Sequence, residues 1–112
     1  MPALNARQYL TQIAEEAALD PVVMMNGTTS QRIIRTLGVI TLAGNEPIEI
    51  RAHALRMVLE TIRHCNATGG DGDAELWAAF PGDPTTLMFF RAALGTVEST
   101  RDARDFITVY RD

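Results

Sequence analysis

The chain holds 112 residues, 46% of them apolar and 21% charged, and carries a net charge of −4. That profile fits one ordinary globular domain, long enough to bury a core without disulfide or metal staples. All ten cationic residues are arginine, which excludes Schiff-base, pyridoxal-phosphate and P-loop lysine chemistry.

The single cysteine, Cys65, precludes an internal disulfide and any cysteine-based zinc cluster within one chain. It suits a reducing compartment, and a cytoplasmic location is expected. The first residues lack the apolar run of a signal peptide. No stretch approaches the ~18 apolar residues of a membrane span, so no membrane contact is expected. Six arginines balance six carboxylates up to residue 65, and the whole −4 falls in residues 66–112.

Capping signals divide the chain into helices. Asn5 and Gln8 mark the start of a helix over about 6–19, with Leu10, Ile13, Ala14 and Ala17 as its apolar stripe. Asp20-Pro21 ends it, and an apolar connector with Met24 and Met25 leads to an Asn26-Gly27 turn. Thr28 and Gln31 form a capping box for a helix over about 29–43, carrying Ile33, Ile34, Leu37 and Ile40. Gly38 costs that helix about 1 kcal/mol against alanine. A third helix spans about 47–66, with Pro47 in its first turn and a stripe of Ile48, Ala52, Leu55, Val58, Leu59 and Ile62.

Residues 67–73 read as a flexible acidic loop. A short helix over 74–80, capped by Asp73, follows it. Pro81-Gly82-Asp83 is a turn. Asp83 and Pro84 then open a helix to about Leu94 that is apolar nearly all round. Such a helix sits centrally in a fold or lies in an interface, which makes it the candidate contact for a homodimer. Ser99 and Asp102 cap a last helix over 100–110, with Ala103, Phe106, Ile107 and Tyr110 on one face. The expected fold is a mainly α, compact domain of four to six helices. The alternative is α+β, with a hairpin near 39–50 and a short C-terminal strand through Phe106 to Tyr110.

Catalytic and metal constellations are weak. His53 and His64 are eleven residues apart, roughly 16 Å along a helix, too far to share an ion. The pairs Glu49/His53 and Glu60/His64 fit a solvated face. An EF-hand frame starting at Asp71 puts Leu76 where glycine is required and Gly82 where the bidentate glutamate belongs. Ser30 and Ser99 lack a nucleophile elbow, and His64 and Cys65 point about 100° apart on a helix. No enzyme activity, cofactor or metal is therefore expected.

Two binding surfaces remain. Asp71, Asp73, Glu75, Trp77, Phe80 and Asp83 make an acidic-aromatic cluster suited to a basic partner, such as a nucleic-acid-binding protein. This supports a regulatory or inhibitory protein-interaction module. The alternative is helix-turn-helix DNA binding, with residues 11–20 as the first helix. Ser30, Gln31, Arg32 and Arg35 would then read bases from the helix over 29–43.

Overall fold

The computed structural model describes residues 8, 10–12 and 27–110. Residues 8 and 10–12 are helical, and Leu10 belongs to the core. The rest of the first expected helix, its Asn5 cap and the connector through Asn26 lie outside the described residues. Five helices follow: α1 (Gly27–Leu42), α2 (Ile48–Ala67), α3 (Gly72–Ala79), α4 (Pro84–Leu94) and α5 (Thr100–Tyr110). No strand occurs among the described residues, so the α+β alternative is overturned at both places. At 39–50, α1 runs to Leu42, where a hairpin strand would lie, and Pro47 caps α2. At the C-terminus, the β-branched residues between Phe106 and Tyr110 stay helical because Phe106 and Ile107 share one buried face with Ala103.

The long helix α2 is the hub and touches each of the other four. This explains why its buried surface exceeds one stripe. Leu55, Val58, Leu59 and Ile62 are joined inside by Arg51, Ala54 and Thr61. Polar groups there are satisfied locally: Thr61 donates to the Met57 carbonyl at 2.7 Å, and on α1 Thr41 donates to Leu37 at 2.8 Å. One contiguous apolar core links all five helices and Leu10. Each fully buried large side chain, such as Phe90 or Leu55, contributes about 1.5–3 kcal/mol by leaving water.

The expected flexible loop is shorter than residues 67–73 and is closed by specific bonds. Helix α2 ends in a Schellman motif: Gly69 takes a φ of +87°, and the Gly70 N–H reaches the Cys65 carbonyl at 2.8 Å. The Asn66 side chain accepts the Gly72 N–H at 2.8 Å, tying the end of α2 to the start of α3. Asp71, rather than Asp73, caps α3 by accepting the Ala74 N–H at 3.1 Å. The helix starts early because Gly72 packs directly on α2; a Cβ there would meet the Ile62 carbonyl at 2.5 Å. The following turn, helix α4 and the Ser99 cap stand where the sequence puts them. Asp83 accepts the Thr86 N–H and Ser99 accepts the Asp102 N–H. Gly82 holds a φ of +73°, which Pro81-Gly82 supplies in a type II turn.

Candidate functional site

The two clusters expected from the sequence are largely consumed by the fold. On α1, Ser30 is fully buried against the Cys65 thiol at 3.4 Å. Gln31 does not reach back as a capping box would; its Nε2 donates to the Ala78 carbonyl at 3.0 Å. Arg35 donates to the Ala79 carbonyl at 3.1 Å and lies over the Phe80 ring at 5.2 Å. Both bonds satisfy carbonyls that the end of α3 leaves without intrahelical partners. Arg32 stays exposed. Two of the four residues meant to read bases, Gln31 and Arg35, thus bond the end of α3.

The acidic-aromatic cluster does not converge. Phe80, expected at the contact surface, is instead buried in the core and stacked on Phe90 at 5.7 Å. Asp83 is spent on the α4 cap, bonding both the N–H and the hydroxyl of Thr86. Asp73 forms a bidentate pair with Arg91, both bonds 2.8 Å. That hydrogen bond holds the Asp73 carboxyl below its ordinary value of 3.8. Trp77, half exposed, shares the Asp73 face one turn on, whereas Glu75 lies two residues away and points elsewhere. Asp71 is exposed at the α3 cap.

Among the described residues no group of three or more His, Cys, Asp or Glu side chains is placed to hold a metal ion. Glu49 pairs with Arg104 at 2.8 Å instead of His53. His64 has a buried Nε2 with no hydrogen-bond partner, and the Cys65 side chain beside it points into the core. No described helix is long and apolar enough to cross a membrane.

The surface that the structure does build lies between α4 and α5. A groove of about 280 Å³ is lined by Thr85, Met88, Phe89, Ala92, Phe106 and Tyr110. Helix α4 buries Leu87, Phe89, Phe90 and Ala93, yet leaves Met88 68% exposed. Helix α5 carries its apolar face past the core, so that Val109 and Tyr110 are 71% and 64% exposed. Phe90, Phe89, Phe106 and Tyr110 form a row of rings from the core to the groove, with successive separations of 5.2, 5.0 and 4.5 Å. A second depression shares Phe106 and Tyr110 with the first and adds Val109, Asp102 and Asp105. The sequence signals these residues only as apolar positions on helices. Whether a neighbour covers them depends on where α4 and α5 end relative to one another.

Comparison with protein-family models, curated proteins and solved structures gives no match.

Proposed function

We propose that this chain is a non-enzymatic protein-interaction module, regulatory or inhibitory in effect, that binds through the α4–α5 groove. One observation carries the reading. Two of the exposed large apolar side chains, Met88 and Tyr110, line one groove beside Phe89 and Phe106, and a third, Val109, lines the adjoining depression that shares Phe106 and Tyr110. Exposed apolar clusters of this kind mark interaction surfaces, and Met and Tyr are enriched there. The acidic-aromatic patch contributes less, since Phe80 and Asp83 have structural tasks. DNA reading through α1 is weaker still, because Gln31 and Arg35 hold the end of α3. A reducing compartment, such as the cytoplasm, suits the free Cys65.

Site-specific photo-crosslinking inside the source cell tests this. A crosslinking amino acid is placed in turn at Met88, Trp77, Arg32 and Glu60. The expected result is one protein adduct from position 88, resistant to nuclease and absent from position 60. An adduct from position 77 alone restores the acidic-aromatic patch. Nucleic-acid adducts from position 32 replace the reading with DNA binding.

A further inference from the structure

Resting on that reading, we infer that the partner presents an amphipathic helix whose apolar stripe is flanked by arginine or lysine. The groove lies between two helices, lined by Thr85, Met88, Phe89 and Ala92 of α4 and by Phe106 and Tyr110 of α5. An apolar groove between helices is a seat for an amphipathic helix that anchors side chains at i, i+3/i+4 and i+7. Its volume, about 280 Å³, suits a few anchoring side chains and stands at the lower end of the range for small-molecule pockets. The charge at its edge selects the sign of the partner. Asp102 and Asp105 line the adjoining depression, which shares Phe106 and Tyr110 with the groove. Asp102 already accepts the Glu98 N–H at 3.1 Å, but a carboxylate has acceptor sites to spare. Asp105 is exposed and forms no ion pair among the described residues. Arg101, one turn before Asp105, is not among the lining residues.

A second copy fits less well. A two-fold contact sets the same surface against itself and brings two acidic edges together, on a chain already at −4. An anionic lipid surface meets the same repulsion.

The test is a display selection of helical 16-residue peptides, randomised outside a fixed helical frame, against the whole chain. Selected peptides are expected to carry apolar residues at helical spacing with Lys or Arg beside them. Asp102→Asn with Asp105→Asn should weaken them about fivefold, an effect that fades with salt. Met88→Asp should weaken them about tenfold or more. Neutral or acidic peptides that Met88→Asp abolishes would leave the groove as the interface and overturn the basic partner. Peptides indifferent to Met88→Asp and to Tyr110→Ala would overturn both readings. A selection that yields no binder overturns the basic helix, while the crosslink from position 88 still decides the interface. Sedimentation that shows a dimer broken by Met88→Asp assigns the groove to a second copy and also overturns it.

Discussion

At the residue scale, arginine does work that composition alone does not announce. Arg35 reaches the end of α3, Arg51 gives Nε to the Thr41 carbonyl at the end of α1, and Arg63 bonds the Leu94 and Val97 carbonyls at 3.1 and 3.0 Å. A cation at a helix C-terminus meets both unpaired carbonyls and the negative end of the helix dipole. The planar guanidinium serves two acceptors at once, which an ammonium on a flexible stem does less well. Arg63→Ala should therefore cost about 1–3 kcal/mol in denaturant unfolding, with Arg63→Lys recovering part of it. Equal losses for the two variants would place the contribution in guanidinium geometry rather than charge. The exposed Asp73–Arg91 pair behaves differently. Folding lowers the Asp73 pKa through the Arg91 hydrogen bond, so its stabilisation is full above the unfolded value of 3.8 and disappears as pH falls through the folded one. Wild type and Asp73→Asn should differ slightly near neutrality and converge in acid. A difference that persists at pH 2 would mean that the asparagine perturbs the α3 start instead.

At the element scale, caps and periodicity made most helices readable in advance. Asp83-Pro84 and Ser99 with Asp102 stand at the starts they signal, because these contacts span three residues and need no tertiary help. Asp83→Ala should cost about 1 kcal/mol through α4, measurable as a lowered unfolding midpoint with an unchanged denaturant slope. The reading failed where a neighbour decides. Gln31 completes a capping box on paper but is drawn to α3, and Asp71 displaces Asp73 as a cap because Gly72 lets α3 begin against α2. Gly38 is the sharpest case. Propensity ranks it as a defect worth about 1 kcal/mol, yet a Cβ there would sit 2.4 Å from the Phe80 ring and 3.3 Å from Phe90. Both rings are buried and stacked, so neither can swing aside. Gly38→Ala should thus destabilise by about 1–3 kcal/mol despite the gain in helix propensity. A stabilised variant would show that Phe80 repacks freely.

At the scale of the whole molecule, the fold was readable and the candidate site was not, for one physical reason. Apolar spacing states which residues avoid water along each helix; it does not state which are left without a neighbour at the helix ends. Phe106 and Tyr110 share one stripe, but Phe106 is 7% exposed and Tyr110 is 64% exposed. Met88 likewise sits in a run of apolar residues whose other members, Leu87, Phe89 and Phe90, are buried. If the groove is a surface and not an incomplete core, stability and binding must separate across it. Phe106→Ala removes a ring packed on Phe89 at 5.0 Å and should cost about 3–5 kcal/mol. Met88→Asp places a charge where water already reaches and should leave the unfolding free energy within about 0.5 kcal/mol of wild type. Loss of partner crosslinking in that stable variant would locate the interface on the groove. A Met88→Asp protein that unfolds as readily as Phe106→Ala would instead make the α4–α5 face part of the core, and the exposed methionine would lose its meaning as a contact.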